Sequence, residues 1–234
     1  MHTGRIEEPE LFFGRVYEPD DRDARFPMRL ALGTQWPKTL ARKWTTGPTL
    51  DQKRTSSCVG HGWKAFLMST PIRSTVESPP SAMEIYDTAR RIDADPTNDH
   101  RDTGTSVRAG VQFLQAQGHI RSYLWASSLD DVIHWLLTRG TVVIGVPWYD
   151  GMKRVDGAGF IHAEGQSAGG HCTLLYGADR RVETTYLQNS WGDSWGGWDG
   201  GNGGRCKLSF SDLDLLLRQD GEAVTAVERL VAAA

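Results

Sequence analysis

Residues 51–66 read DQKRTSSCVGHGWKAF, a polar, turn-like half followed by an apolar, helix-like half. A lone cysteine, Cys58, stands at the junction between the two halves. If Ser56 or Ser57 caps a helix that begins near Cys58, the thiol lies at the positive end of the helix dipole. That position favours the thiolate, which is the reactive form of cysteine. Taken alone, however, Cys58 is more readily interpreted as an inert packing residue, since most free cysteines are of that kind.

The composition of the chain predicts an ordinary soluble globular protein. It has 234 residues, 39% hydrophobic and 24% charged, enough for one large domain or two small lobes. The net charge of -3 gives no basic excess, so we expect no nucleic-acid partner. No apolar run approaches the length of a membrane span, and the polar, acidic N-terminus shows no signal peptide. We therefore expect no membrane partner.

The cysteines argue against two common kinds of site. There are three, Cys58, Cys172 and Cys206, and this low, odd number does not suit a disulfide scaffold. The sequence has no CxxC or HxxxH spacing, so we expect no metal site and no cofactor. The charged stretch 93–102 lacks the glycine and the glutamate of a calcium loop and is interpreted as a solvated loop.

The apolar pattern changes from helical to strand-like along the chain. It predicts helices over residues 58–69, 82–91, 107–117 and 130–139. It predicts strands over residues 141–146, 171–177, 184–189 and 206–210. Helices followed by strands indicate an α+β protein with two lobes.

The domain boundaries follow from the same change of pattern. We expect an N-terminal arm over residues 1–43, a helical lobe over 44–125 and a β-rich lobe over 126–234. The charged, proline-punctuated stretch 17–27 is either an extended arm laid over the surface or a disordered tail. The aromatic residues interleaved in the arm favour docking; they are Phe12, Phe13, Tyr17, Phe26 and Trp36.

A cysteine nucleophile needs a base, a group that orients the base, and donors for the oxyanion. His171 begins one predicted strand and Asn189 ends the next, so adjacent strands would bring the two side chains together. Gln52, six residues before Cys58, has an amide donor able to reach over the helix start. His61 is a rival base by proximity. On a helix, however, its spacing from Cys58 gives a shared face without a geometry suited to proton transfer.

Three motifs, in the same order, resemble those of the papain family of cysteine peptidases. Residues 52–58 resemble the Gln-x5-Cys segment of that family, and Gly170-His171-Cys172 resembles the strand start that carries the catalytic histidine. Residues 189–196, which read NSWGDSWG, resemble the Asn-Ser-Trp-Gly-x-x-Trp-Gly motif and are the most specific of the three. The resemblance covers residues 44–210. Within them, residues 104–106 resemble the substrate-cleft segment of bacterial and bacteriophage members.

The resemblance implies a two-lobed papain-like fold, in which a helical lobe and an antiparallel β-barrel-like lobe flank the active-site cleft. It implies a thiol peptidase that acts on polypeptides and needs no cofactor or metal. The catalytic residues it implies are Cys58, His171, Asn189 and Gln52. The substrate-binding residues it implies are Gly104, Thr105, Gly170 and Trp191. Trp191 would also shield the contact between His171 and Asn189 from water.

Several positions depart from the family pattern. Val59 replaces the tryptophan that usually follows the nucleophile, Thr55 replaces a disulfide cysteine, and Cys172 replaces an alanine. Thr105 replaces the second of two glycines that contact substrate, so the resemblance does not define the register of the bound peptide. The residues before the nucleophile are too few for the usual helical prodomain. Control of activity is therefore expected to lie elsewhere, or the arm fills part of that role.

Two further hypotheses remain open at this stage. One is a phage-associated hydrolase that acts on cell-wall peptides or virion proteins, with a virion or host protein as partner. The other is a papain-like scaffold kept as a non-catalytic structural or binding component. The expected location is cytoplasmic or virion-associated.

Overall fold

The computed structural model describes residues 11–74, 78–93, 103–197 and 203–227. Its α-helices are α1 (Cys58–Leu67), α2 (Ala82–Ile92), α3 (Val107–Ala116), α4 (Leu129–Thr138) and α5 (Phe210–Arg218). Its strands are β1 (Arg15–Val16), β2 (Ala41–Lys43), β3 (Thr105–Ser106), β4 (Ser122–Trp125), β5 (Val142–Tyr149), β6 (Ser167–Asp179), β7 (Thr184–Gln188), β8 (Arg205–Ser209) and β9 (Glu222–Val227). Short 3-10 helices include Asp21–Arg25 and Met28–Ala31.

Seven strands form one antiparallel sheet, in the order β4-β9-β5-β6-β7-β8, with β2 added beside β6. The predicted α+β class is confirmed. The sheet is open, because its two end strands, β4 and β8, do not pair with each other among the described residues. The β-rich lobe, which was expected to be barrel-like, therefore contains an open sheet and not a closed barrel. A separate two-stranded ladder joins β1 to β3 in parallel.

Helices pack on both faces of the sheet and divide the core into two clusters. Side chains of α1 and α3 pack with Val143, Cys172 and Leu174 on one face. Side chains of α4 and α5 pack with Val142, Ile144 and Val146 on the other. The residues of β5 thus alternate between the two clusters, as the two-residue period of a strand requires.

Serine side chains fix the starts of four helices. The hydroxyls of Ser81, Ser106, Ser128 and Ser209 each accept a hydrogen bond from a backbone N–H in the first turn of α2, α3, α4 and α5. Helix α1 differs, because its N-cap residue, Ser57, makes no capping bond. The first turn of α1, which begins with Cys58, therefore has no capping side chain.

The predicted helices and strands are present, with ends shifted by a few residues. Strand β6 begins at Ser167, so His171 lies inside the strand and not at its start. Strands β4 and β9 and helix α5 were not predicted. The stretch 17–27 is docked, as the aromatic residues suggested, since Arg108 Nε donates to Asp23 Oδ1 at 3.1 Å. Most of the predicted solvated loop 93–102 lies outside the described residues.

Candidate active site

Cys58 is the first residue of α1 and is fully buried. Burial raises the pKa of its thiol to about 12, although backbone N–H groups of Cys172, Val59 and Gly14 lower it in part. The sequence-based expectation that the helix start favours the thiolate is therefore wrong for this arrangement. Desolvation of the thiol outweighs the stabilisation of the thiolate by the helix start, so Cys58 is a neutral thiol in this structure.

His171 and Asn189 lie side by side, as the strand order predicted. The His171 Nε2 atom is 2.7 Å from Asn189 Oδ1, and both side chains are buried. Because an amide oxygen can only accept, the imidazole carries its proton on Nε2 and leaves Nδ1 as the basic nitrogen. His171 Nδ1 has no hydrogen-bond partner among the described residues, so it makes no hydrogen bond to the Cys58 sulfur. Burial lowers the pKa of His171 to about 4, against the raising effect of Asn189.

Aromatic rings enclose His171 on several sides. The ring of Trp191 stacks on it with centroids 4.6 Å apart and an angle of 24° between the planes. Trp148 meets it edge-on at 4.8 Å, and Phe13 does so at 5.7 Å. This apolar enclosure keeps water from the bond between His171 and Asn189 and favours the neutral imidazole.

Gln52 is held in one orientation by bonds to both ends of its amide. Its Nε2 atom donates to Thr55 O at 2.8 Å and to Phe12 O at 3.1 Å. Its Oε1 atom accepts from Ser190 Oγ at 2.7 Å. The Gln52 donor therefore already contacts a peptide carbonyl oxygen, which is the kind of atom an oxyanion donor must meet.

His61, the rival base, is engaged elsewhere. Its Nδ1 atom lies 3.0 Å from Ser57 O and 3.1 Å from Ser57 Oγ, within the first turn of its own helix. Burial also lowers the pKa of His61. These contacts tie its ring to the chain before Cys58, and none of them links it to the thiol.

Residues 11–16, called here the cleft segment, run through the middle of this site. Gly14 N donates to Gly170 O at 3.1 Å, and Thr105 N donates to Gly14 O at 2.9 Å. Trp191 Nε1 donates to Phe12 O at 3.2 Å.

All four residues predicted to bind substrate border this segment. Thr105, Gly170 and Trp191 contact it through the hydrogen bonds just described. At Gly104, which has a φ of +88°, a Cβ would lie 2.2 Å from Gly14 O. Each predicted substrate-binding residue therefore contacts or closely borders a peptide segment. That segment, however, is part of the protein itself and not a substrate.

The cleft segment also reaches the Cys58 thiol. The backbone N–H of Gly14 is one of the groups that lower the pKa of this thiol. The segment runs parallel to β3, with Arg15 opposite Thr105 and Val16 opposite Ser106. The segment therefore covers Cys58 and occupies the cleft.

Sequence reasoning placed the arm on the surface, and the structure corrects this for the cleft segment. Phe12 and Phe13 were noted only as aromatic residues that favour docking. Gly14 carried no signal of its own, although a Cβ there would lie 1.8 Å from Ser56 O, so only glycine fits. Glu222, which pairs with Arg15 at 3.2 Å, begins an unpredicted strand and had no motif around it.

The cysteines form no disulfide, and the described residues offer no metal site. Cys58, Cys172 and Cys206 are all free and buried. Within the described ranges, no three His, Cys, Asp or Glu side chains are grouped so that they could hold a metal ion. None of the described helices is both long and apolar enough to span a bilayer.

Comparison with known proteins identifies the fold. No protein-family model and no curated protein sequence matches the chain. Among solved structures it is similar to xylellain, a cysteine protease from Xylella fastidiosa, with a TM-score of 0.68 and 16% identity over 93% of this chain and 96% of that one.

Two further similarities come from animals and plants. Procathepsin L 3 from the larval midgut of Tenebrio molitor gives a TM-score of 0.62 and 13% identity, covering 92% of this chain and 75% of that one. Bromelain from Ananas comosus, solved with the E64 inhibitor, gives 0.59 and 12%, covering 81% and 99%. At these identities the similarity establishes the fold alone, and the chain has the papain-like fold of cysteine proteases.

Proposed function

We propose that the chain is a cysteine peptidase that hydrolyses peptide bonds through Cys58, His171, Asn189 and Gln52. The observation that carries the proposal is the carbonyl of Phe12, which accepts a hydrogen bond from Gln52 Nε2 at 3.1 Å. A peptide carbonyl thus occupies the position where an oxyanion donor would act. The pairing of His171 with Asn189 and the papain-like fold support the same reading.

The reaction follows from the positions of these groups once a substrate replaces the cleft segment. His171 Nδ1 takes the proton of the Cys58 thiol, and the sulfur attacks the carbonyl carbon of the scissile bond. Gln52 Nε2 and the backbone N–H of Cys58 stabilise the oxyanion, and one such donor contributes about 3 kcal/mol in other enzymes. The imidazolium then protonates the leaving amine.

The second half of the reaction uses the same residues. His171, neutral again, takes a proton from water, which attacks the thioester carbon. The second oxyanion collapses, the acid product leaves, and the thiol regains its proton. Asn189 acts throughout as a positioning residue, because its Oδ1 atom fixes the Nε2–H tautomer of the imidazole.

The closed cleft makes the proposed peptidase latent as it stands. The Cys58 thiol is fully buried, and the Phe12 carbonyl already accepts a hydrogen bond from Gln52 Nε2. Substrate can therefore bind only when the cleft segment moves away. The cleft segment would then control access to the active site.

A cleavage assay on opened protein tests the proposal. We expect the Gly14→Ala variant, in which the closed pose is destabilised, to cleave casein and a peptide library. Cys58→Ala in the same background should abolish cleavage, whereas Cys172→Ala, the matched control, should retain it. Cleavage that survives Cys58→Ala would refute the proposal. An accessible Cys58 without any cleavage would favour the non-catalytic scaffold instead.

The association with bacteriophage is a finer hypothesis, motivated by the resemblance of residues 104–106 to phage-type segments. It would make cell-wall peptides or virion proteins the substrate, with a virion or host protein as partner, and would suit a cytoplasmic or virion-associated location. A zymogram on cell walls, run beside the casein assay, tests it. Clearing of casein without clearing of walls would remove cell-wall peptides as substrate.

A further inference from the structure

A cavity separate from the candidate active site lies at the opposite end of the nucleophile helix. It has a volume of about 230 Å³, and none of the four residues of the proposed reaction lines it. Phe66, next to the last residue of α1, forms part of its wall, whereas Cys58 begins that helix. At a rise of about 1.5 Å per residue, α1 separates the two residues by roughly 12 Å. The cavity is therefore a second site and not an extension of the cleft.

The inner wall of this cavity is apolar. Phe66, from α1, Ile72, from the turn after it, and Ala226, from β9, line the cavity and are buried. Such a wall gains from contact with an apolar group and offers little to water. The volume is below the range of about 300–1,000 Å³ that drug-sized ligands occupy, so the ligand that fits is small.

The mouth of the cavity is cationic. Arg121, just before β4, and Arg139, just after α4, line it and are exposed. Arg139 Nη2 donates to Ala31 O at 3.0 Å, which leaves the other N–H groups of that guanidinium available. Neither arginine forms an ion pair with a described carboxylate, and no described residue that lines the cavity is acidic. The mouth therefore suits an anionic group.

Two buried polar groups of the lining residues lack partners. Trp135 Nε1 and Thr141 Oγ1 make no hydrogen bond to any described residue, although the two residues are only 6% and 1% exposed. The backbone carbonyl of Thr141, by contrast, accepts from Thr225 Oγ1 at 3.0 Å. Buried polar groups in folded proteins are nearly always hydrogen-bonded, and an unpaired one is unfavourable. Because an indole N–H can only donate, the partner that Trp135 lacks is an acceptor.

Gly140 keeps the space beside the Trp135 indole open. A Cβ at position 140 would lie 3.7 Å from Trp135 Nε1 and 2.9 Å from Pro71 Cδ. The cavity thus combines an apolar wall, a cationic mouth and a donor that needs an acceptor. A carboxylate meets the last two requirements with a single, compact group.

We propose that this cavity binds a small organic carboxylate, whose apolar body packs against Phe66, Ile72 and Ala226. The carboxylate pairs with the arginines at the mouth, and its oxygens accept hydrogen bonds from Trp135 Nε1 and Thr141 Oγ1. The inference does not depend on the proposed peptidase reaction, so either can fail without the other.

Nuclear magnetic resonance on the full-length chain, labelled with nitrogen-15, tests the site. Trp135→Phe and Trp195→Phe assign the two indole N–H signals by their absence. Addition of 4-phenylbutyrate should shift the Trp135 signal, whereas Trp195, whose Nε1 already donates to Lys153 O at 2.8 Å, should not respond. The neutral amide of the same acid should bind at least about tenfold more weakly, because it lacks the charge.

Three results of this titration would overturn the inference. They are a Trp135 signal that does not move, equal binding of the acid and the amide, and inorganic phosphate that binds as tightly as the acid. The last would mean that the apolar body contributes nothing and that the arginines attract any anion.

Charge variants test the mouth without touching the core. Arg121→Gln and Arg139→Gln should each raise the Kd for 4-phenylbutyrate by about threefold, and the double variant by about tenfold. Arg218→Gln, a control at a 71% exposed arginine of α5, should leave the Kd unchanged. If the double variant binds the acid as tightly as the parent, the arginines do not hold the ligand and the inference fails.

Thr141→Val removes the unpartnered hydroxyl and keeps the shape of the side chain. The free energy of unfolding of the unliganded chain should not fall, because this hydroxyl has no hydrogen bond to lose. The Kd for 4-phenylbutyrate should rise by about threefold or more. A destabilised variant that binds the acid as tightly as the parent would show that the hydroxyl already has a partner, and would overturn the inference.

Discussion

Replacing Gly14 by alanine should open the active site. A Cβ at position 14 would lie 1.8 Å from Ser56 O and 2.4 Å from the carbonyl carbon of Ser56. Both are backbone atoms immediately before the nucleophile helix, so no side-chain rotation can relieve the overlap. The cleft segment must shift, and its hydrogen bonds to the cleft walls must lengthen or break.

The size of the effect follows from the bonds that Gly14 itself makes. They are Gly14 N to Gly170 O at 3.1 Å and Thr105 N to Gly14 O at 2.9 Å. At a net value of about 1 kcal/mol each, their loss destabilises the closed state by about 2 kcal/mol. Overpacking of a tight site costs a similar amount, about 1–3 kcal/mol. Since 1.4 kcal/mol corresponds to a factor of ten, the open fraction should rise by about thirtyfold.

The alkylation rate of Cys58 measures the open fraction directly. When opening and closing are fast compared with the chemical step, the rate is proportional to the population of the open form. Iodoacetamide labelling at neutral pH, with the modified cysteine identified by mass spectrometry, gives this rate for each thiol. Cys172 and Cys206 are buried in the core and serve as internal controls for unfolding.

Gly157→Ala provides the matched control, because no heavy atom lies within 4 Å of a Cβ built at that position. We expect it to leave the Cys58 rate unchanged. If Gly14→Ala also leaves the rate unchanged, the cleft segment does not govern access to the thiol. If all three cysteines become reactive together, the substitution has loosened the fold and not the segment.

Three further predictions concern the proposed catalytic groups, the first two measured in the Gly14→Ala background and the third in the parent chain. Gln52→Ala should lower kcat by roughly a hundredfold with little change in KM, because the donor acts on the oxyanion; a purely raised KM would contradict that role. Asn189→Ala should lower kcat/KM by about a hundredfold and alter the pH profile of the reaction, since the His171 tautomer is no longer fixed; an unaltered profile would argue against positioning. The third uses the pKa of His171, which burial lowers from 6.5 to about 4. Between pH 6.5 and about pH 4 the folded chain binds fewer protons than the unfolded chain. The free energy of unfolding is therefore highest above pH 6.5 and decreases by about 3 kcal/mol as the pH falls toward 4. Urea unfolding as a function of pH should show this slope in the difference between the parent chain and His171→Gln, because the other titrating groups, Glu222 among them, are the same in both.

Much of the fold could be predicted from the sequence because its signals are local. Apolar periodicity located α1 to α4 and four strands, and each signal lies within a dozen residues. The pairing of His171 with Asn189 was predicted from the order of two adjacent strands, which is also a near-neighbour relation. Helix α5 and strands β4 and β9 were not predicted.

The closed state could not be predicted in this way. The ion pair between Arg15 and Glu222 joins residues 207 positions apart. Neither residue stands in a motif, and only the folded chain shows that the cleft has room for the segment. The pKa of Cys58 was misjudged for the same reason. A helix start is visible in a sequence, but the desolvation that overrides it depends on which distant segment covers the thiol.

The cleft segment is part of the chain that it blocks, and this sets its effective concentration. The 3-10 helix Asp21–Arg25 lies only a few residues beyond it and is fixed to α3 through Arg108. A short tether of this kind holds a ligand at an effective concentration in the millimolar range. Closure is therefore independent of protein concentration, and dilution cannot release it. A free peptide with the sequence of residues 11–16 would have to approach millimolar concentrations to match the attached segment, so a weakly bound segment is sufficient to keep the site closed.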